Sequence, residues 1–353
     1  MPPVPVRADL ALTRGYHSPQ VDVAVRLNTN ESPLAPPPAW LEAVQAELAT
    51  IEFHRYPDRG ARALRAALGE LHEVPADQVF CANGSNEVLQ SLLLAFGGPG
   101  RRTAVFEPTY ALHSHIARLT GTEVATGERL ADFRIDLEEV RRVTTQADPV
   151  ITFLCSPNNP TGRIEPRETI EDVLGLSPGL LVVDEAYGQF APWSALSMVE
   201  GEGRVVVVRT FSKTWSMAAA RLGYLVGPRS VVAALEQVAL PYHLDAVKQV
   251  AGRLALDYRA DMEARVASMV EERGRLAAAL GQLPVESWPS DANFILFRPL
   301  SRSGGEVWQG LLDRSVLVRN CSDWPRLDGC LRVTVGTPAE NTAFLSALGE
   351  CLS

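Results

Sequence analysis

The first 35 or so residues keep no hydrophobic period and are rich in proline, ending in NESPLAPPPAW, so residues 1–35 read as an irregular arm rather than a strand or helix. After the proline stop, Trp40 to Leu48 predicts a helix, and ARALRAALGELH at 61–72 repeats apolar residues at helical spacing. VPADQVFCANGSNE (74–87) predicts a short strand, a glycine turn and a helix start. Strand-like runs then recur at Thr103–Phe106, Val150–Cys155, Leu180–Asp184, Val205–Thr210 and Gly223–Val226, separated by helical or loop segments. That rhythm predicts an α/β fold, with a large unit over residues 36–244 built on a mostly parallel sheet covered by helices.

Beyond about Leu240 the pattern changes. One long amphipathic stretch runs from Leu254 to Leu283 and predicts a hinge helix, too long for a crossover. FILFRP, SVLVRN and LRVTVG follow as three short strands with helices between and after them, so residues 245–353 predict a smaller α+β unit. No repeat or low-complexity linker separates the units, which places a site between them.

The 353 residues, 46% apolar and 21% charged, suit a large unit plus a smaller one with a substantial core. A net charge of −9 argues against nucleic acid and anionic membranes as partners, so an anionic ligand requires a local basic pocket. The five cysteines are widely spaced and read as reduced, packed thiols. With no apolar leader run and no membrane-length segment, the expected location is the cytoplasm. The histidines show no metal-ligand spacing beyond the pair His113 and His115. On a helix those two face apart and read as structural or solvent-facing, so no metal is expected.

Lysine is almost absent: Lys213 and Lys248 are the only two among 33 basic residues. The strand VVVVRT delivers Thr210-Phe211-Ser212-Lys213 to the edge of the sheet, and LLVVDEAY delivers Asp184 to the same edge, where open α/β sheets place ligands. Desolvation there would lower the lysine pKa and make it nucleophilic enough for a Schiff base. An aldehyde cofactor of the pyridine type also needs a carboxylate for its ring nitrogen, donors for its phenolate and an anion cup for its phosphate. Asp184 fits the first need, and Asn159 (SPNNPTG) with Tyr187 fits the second. The glycine turn Gly84-Ser85-Asn86 at a helix N-terminus, with Ser212 and Arg221, fits the third, and Tyr110 could stack on the ring. Singly, each has a bland reading as turn, cap or surface charge.

In these residues the chain resembles the fold type I pyridoxal-phosphate aminotransferases, and within them the histidinol-phosphate aminotransferases. The resemblance runs nearly end to end through LNTNESP (27–33), HRYPD (54–58), NGSNE (83–87), EPTYALHSH (107–115), CSPNNPTG (155–162), VVDEAY (182–187), TFSKTWSMAAARLGY (210–224), PSDANFILF (289–297) and LRVTVGTPAEN (331–341). Ser32, Asn86 and Ala219 depart from the usual family residues without removing a group that the cofactor chemistry needs. The resemblance implies a seven-stranded sheet, pyridoxal 5'-phosphate as cofactor, and a ping-pong exchange between L-histidinol phosphate and 2-oxoglutarate in histidine synthesis. Lys213 would be the nucleophile and proton carrier, Asp184 the partner of the pyridinium, Asn159 and Tyr187 the phenolate donors. Ser85, Asn86, Thr210, Ser212 and Arg221 would hold the phosphate. Arg332, helped by Arg319 and Tyr16, would face the acidic group of the substrate, with Asn30 closing over the site. Tyr56 would reach the cofactor phosphate of a second copy, which implies a homodimer.

Four other readings compete. Aromatic amino-acid transamination or threonine-phosphate decarboxylation would keep fold and cofactor. A non-catalytic cofactor-binding module of a regulator would carry a DNA-binding helix-turn-helix ahead of the cofactor domain, for which the arm is too short and too acidic, and a nicotinamide dehydrogenase would need a G-x-G-x-x-G that does not follow the first predicted strand.

Overall fold

The computed structural model describes Val4 and residues 20–353. Its first element is a strand, β1 (Val25–Leu27), followed by α1 (Pro38–Leu48) and α2 (Arg62–His72). β2 (Val79–Ala82) turns at Gly84 directly into α3 (Ser85–Phe96). Alternation then sets in with β3 (Arg102–Glu107), α4 (Leu112–Leu119), β4 (Glu123–Glu128), α5 (Leu137–Ala147), β5 (Ile151–Cys155), α6 (Arg167–Leu176), β6 (Leu180–Asp184), β7 (Val205–Thr210), β8 (Gly223–Val226) and α7 (Arg229–Val238).

These strands form a seven-stranded sheet in the order β2-β8-β7-β6-β5-β3-β4, with β8 antiparallel to both neighbours and the other pairs parallel. Near-continuous apolar runs occur because both faces are covered. Val182, Val206 and Val208 face Leu89, Leu92 and Leu235 of α3 and α7, while Leu181, Val183, Val205 and Val207 face Val140, Ile170 and Val173 of α5 and α6. The fold is α/β, as the alternation predicts.

A second sheet follows α8 (Ala246–Leu256) and α9 (Arg259–Leu280). It contains β9 (Val285–Ser287) and β10 (Phe294–Pro299), then α10 (Gly304–Asp313), β11 (Val316–Asn320), β12 (Leu331–Thr334) and α11 (Pro338–Leu352). The order is β1-β11-β12-β10-β9, antiparallel except where β1 joins β11. α9, α10 and α11 cover it through Leu276, Leu280, Val307, Leu311, Phe344 and Leu348. Both α10 and α11 begin in a capping box, Ser303 with Glu306 and Thr337 with Glu340.

Three features differ from the sequence reading. The arm is not wholly irregular: Val25-Arg26-Leu27 pairs in parallel with Val316-Leu317-Val318, and Leu27 is buried in the second core. β4, EVATGE, was hidden because it is the half-polar edge of its sheet. The amphipathic stretch from Leu254 breaks at Asp257 and Tyr258, because its ends serve different cores: Leu254 and Ala255 pack with Leu64 and Leu222, whereas Leu276 and Leu280 pack under the second sheet. α9 spans the gap, with Met262 in the first cluster and Met269 beside Tyr187 and Phe294. No helix among the described residues is long and apolar enough to cross a membrane.

The join between β8 and α3 is close-packed: a Cβ on Gly223 would lie 2.2 Å from the Ser85 amide nitrogen. Gly223→Ala is therefore expected to destabilise the protein by about 1–3 kcal/mol through overpacking, read as a lower urea midpoint at unchanged slope.

Candidate active site

The carboxyl ends of β5, β6 and β7, the N-terminus of α3 and the face of β12 meet around a cavity of about 350 Å³. Asp184 is the last residue of β6, and Lys213 stands three residues beyond the end of β7. Of the residues singled out in the sequence, Asn30, Ser85, Asn86, Tyr110, Asn159, Asp184, Tyr187, Thr210, Ser212, Lys213, Arg221 and Arg332 all line this cavity.

One end is an anion cup. The first turn of α3 leaves the amides of Ser85 and Asn86 without intrahelical acceptors, and the helix dipole adds positive potential there. Gly84 does not line the cavity but shapes the turn at φ +83°, and a Cβ on it would sit 2.9 Å from Arg221 Nη2. Arg221 reaches the cup from a left-handed residue (φ +52°) and donates to Ser212 Oγ at 3.2 Å, while Thr210 Oγ1 donates to Ser212 Oγ at 3.0 Å. Among the described residues Arg221 has no carboxylate within ion-pair distance, so the cup keeps a cation and two hydroxyls for an incoming anion.

The floor is Asp184. It is buried, accepts the Ala186 amide at 3.0 Å through Oδ1, and lies 3.0 Å from His113 Nε2 through Oδ2. His113 is fully buried, stacked on Phe153 at 4.7 Å and 7°, with Tyr110 against its edge. Of the pair His113 and His115, read from the sequence as structural or solvent-facing, His113 is the structural one, and it belongs to the layer beneath the site. Its signal was the apolar stripe Leu112, Ile116 and Ala117, which carries position 113 to the buried face of α4. His113 Nδ1 has no partner among the described residues, which fits Nε2 carrying the proton donated to Asp184.

Lys213 Nζ donates to the Thr29 carbonyl at 3.0 Å and lies 5.8 Å over the Tyr187 ring. Burial, then the Arg332 and Arg221 cations, pull its pKa down to about 7 against the opposing pull of Glu31. The Tyr187 hydroxyl accepts from Asn30 Nδ2 at 2.9 Å, and burial raises its pKa, so it stays protonated. Asn159 Oδ1 accepts from Arg332 Nη1, which leaves the Asn159 amide NH₂ as the group able to donate. Arg332 Nη2 donates to the Asn28 carbonyl at 3.0 Å, and the guanidinium lies 5.0 Å over Phe294. Arg332 is buried, and no carboxylate pairs with it among the described residues; a buried cation on a cavity wall is a place for an acidic ligand group.

Arg319 stands opposite Arg332 in the β11–β12 register with its guanidinium 5.7 Å over Trp324, and it is Trp324 rather than Arg319 that reaches the cavity wall. Tyr56 lies away from this cavity: it is 79% exposed and stacks on Tyr242 at 4.4 Å. Tyr16 lies outside the described residues. The sequence reading missed Thr29, Glu31, Cys155 and Trp324, which also line the cavity. Burial beside Asp184 holds the Cys155 thiol well above its usual pKa, so it is not a nucleophile.

The donor set fits pyridoxal 5'-phosphate on this geometry alone: a cationic cup for phosphate, a buried carboxylate for a ring nitrogen, two donors for a phenolate and a half-neutralised lysine for an aldehyde.

The family model for aminotransferase class I and II matches residues 22–348. A histidinol-phosphate aminotransferase of Thermobifida fusca is 44% identical over 98% of this chain and 95% of its own length. In structure, a Sinorhizobium meliloti histidinol-phosphate aminotransferase in complex with pyridoxal 5'-phosphate superposes with a TM-score of 0.89 at 21% identity, covering 98% of this chain and 97% of its own. An L-threonine-O-3-phosphate decarboxylase of Porphyromonas gingivalis also superposes, with a TM-score of 0.81 at 24% identity over 93% of this chain and 99% of its own, so fold alone does not select a substrate. The full-length sequence identity is more discriminating: the chain belongs to the aminotransferase class I and II family, as a pyridoxal-phosphate-dependent transaminase of the histidinol-phosphate aminotransferase group.

Proposed function

We propose that this chain moves the amino group of L-histidinol phosphate to 2-oxoglutarate, giving imidazole-acetol phosphate and L-glutamate, in the biosynthesis of histidine. The observation that carries the reading is Arg332, a buried guanidinium on the cavity wall with no carboxylate partner among the described residues. It suits the acidic group of a substrate whose amine meets Lys213, and the relatives at this identity act on a phosphate ester.

When bound, pyridoxal phosphate supplies an aldehyde that holds the amino group and a protonated ring that draws electron density from the reacting carbon. The chain does the rest. Lys213, with its pKa lowered to about 7, would provide the amine for the aldehyde and a group to carry the proton at the substrate Cα. Asp184, bonded to His113, would accept the ring N–H; Tyr187 and Asn159 would donate to the phenolate; Tyr110 would cover the ring. The Gly84 turn, Ser85, Asn86, Thr210, Ser212 and Arg221 would hold the phosphate. Arg332 would face the acidic group attached at the reacting carbon, the phosphate side of histidinol phosphate and then the carboxylate of glutamate, with Tyr16 assisting. Asn30 closes the arm over the substrate.

The same reading assigns residues 1–35 as a closing arm, 36–244 as the cofactor-binding unit and 245–353 as the smaller unit. It also makes the protein a cytoplasmic homodimer. The exposed Phe53, Tyr56, Leu240 and Tyr242 support a face for a second copy, where Tyr56 would serve the neighbouring site.

A panel of amino donors tests the reaction. Histidinol phosphate is expected to exceed phenylalanine, tyrosine and threonine phosphate in kcat/KM by about 10- to 100-fold, the worth of one charge-assisted hydrogen bond to Arg332. A preference for the aromatic acids would move the enzyme out of histidine synthesis, and carbon dioxide release from threonine phosphate would make it a decarboxylase. Lys213→Ala is expected to abolish both turnover and the visible band of the bound cofactor.

The lysine also sets a pH dependence. Only the neutral amine captures an aldehyde, so the rate at which cofactor-free protein takes up pyridoxal phosphate should rise with pH through a midpoint of about 7 and level off above it. An unshifted lysine would keep accelerating toward pH 10. In Arg332→Gln the loss of a nearby cation should move the midpoint upward, since less then opposes protonation of Nζ. Stopped-flow absorbance across pH 5.5–9.5 reads both.

A further inference from the structure

Asn30 occupies a left-handed backbone position (φ +54°) and is nearly fully buried. Its Nδ2 donates to Tyr187 Oη at 2.9 Å. Its Oδ1 accepts from Thr334 Oγ1 at 3.1 Å, and its backbone N–H donates to the same Thr334 oxygen at 3.0 Å. Its carbonyl accepts from Asn293 Nδ2 at 3.2 Å. Thr334 lies on β12 two residues beyond Arg332, on the same face of the strand, and is itself buried.

A hydroxyl carries one proton. Thr334 spends its own on Asn30 Oδ1, the only acceptor it reaches among the described residues. Turning the Asn30 amide over would leave that buried proton unpaired, at the cost of an unsatisfied polar group. The amide is thereby held with NH₂ toward Tyr187, and the tyrosine oxygen must accept there. Its single proton is left to point elsewhere, and among the described residues no protein acceptor takes it.

We propose that Thr334 is a positioning residue: it fixes which way the Asn30 amide faces, and so makes the Tyr187 hydroxyl a donor toward the phenolate oxygen of the cofactor. This rests on the cofactor placement proposed above. The direction of every proton in the chain follows, from Thr334 to Asn30, from Asn30 to Tyr187, and from Tyr187 to the ligand. A flipped amide would present an acceptor to Tyr187 and pull its proton off the phenolate.

The test is the pH titration of the visible band in the cofactor-loaded protein. A donor on the phenolate lowers the proton affinity of the conjugated system, so withdrawing it raises the titration midpoint. Thr334→Val, close in shape but without the hydroxyl, is expected to raise the midpoint by about one unit, and Thr334→Ser to restore it. The other charged or titratable groups facing Tyr187, namely Arg332, Asp184, Cys155 and Lys213, are unchanged in these variants. Tyr187→Phe should itself raise the midpoint, and Thr334→Val added to it should change nothing more, because the tyrosine transmits the effect. Should Thr334→Val fail to fold, Asn30→Asp offers Tyr187 only acceptors and should give the same upward shift.

An unmoved midpoint in Thr334→Val, or in Asn30→Asp if that variant stands in, would overturn the proposal while leaving the proposed function intact. A shift that persists in the Tyr187→Phe background would do the same. Wild-type protein that develops no visible band with pyridoxal phosphate would overturn both.

Discussion

Three cationic side chains, Lys213, Arg221 and Arg332, converge on one cavity in a chain whose net charge is −9, and the rest of the site is arranged around holding them there. Charges brought together at low dielectric repel strongly unless ligand or protein dipoles answer them. The protein answers incompletely. Backbone carbonyls of Asn28 and Thr29 meet Arg332 and Lys213, the Ser212 hydroxyl and the Ala218 carbonyl meet Arg221, and Glu31 is the carboxylate that acts on Lys213. The shortfall is what makes the site useful: the lysine gives up its proton near neutrality, and the two arginines remain in need of anions.

Such a concentration of charge must be rigid, and the fold supplies the rigidity from four directions. The parallel strands end in a row, so Cys155, Asp184 and Thr210 stand at one edge. The first turn of α3 is locked against β8 by the absence of a Cβ at Gly223, which fixes the amides of the anion cup relative to Arg221 two residues away. From the second sheet, β12 brings Arg332 to the cavity wall and, two residues on, Thr334 to Asn30. The arm closes the fourth side, anchored by β1 beside β11, so that residues 28–30 reach the lysine, the arginine and the tyrosine at once.

Much of this was legible in the amino-acid order. Runs such as LLVVD and VVVVRT mark strands covered on both faces, and their carboxyl ends share one sheet edge, so Asp184 at the end of one and Lys213 three residues past the other are brought together by the amino-acid order. Elements defined by pairing partners rather than by their own composition were not legible. β1 is three residues long and exists because β11 accepts it, and β4 is a half-polar edge. The break at Asp257 follows from two cores lying in different directions, which no helical period encodes. Among site residues, His113 was hidden because a histidine in an apolar stripe looks the same whether it fills space or orients a carboxylate. Trp324 and Thr334 were hidden because their role depends on a neighbour brought in from far along the chain.

The hidden residues share a property. Lys213, Asp184, Tyr187 and Arg221 line the cavity themselves, and their chemistry announces them. His113 and Thr334 act on those groups at one remove, by deciding where a proton sits: His113 faces Asp184, and Thr334 sets the amide that faces Tyr187. Direct contacts determine which atoms a ligand meets, but a neutral hydroxyl, amide or imidazole is ambiguous until its own partners are assigned. The polarity of a site therefore belongs to this outer layer, which sequence spacing cannot reach because its members are joined only through the folded chain.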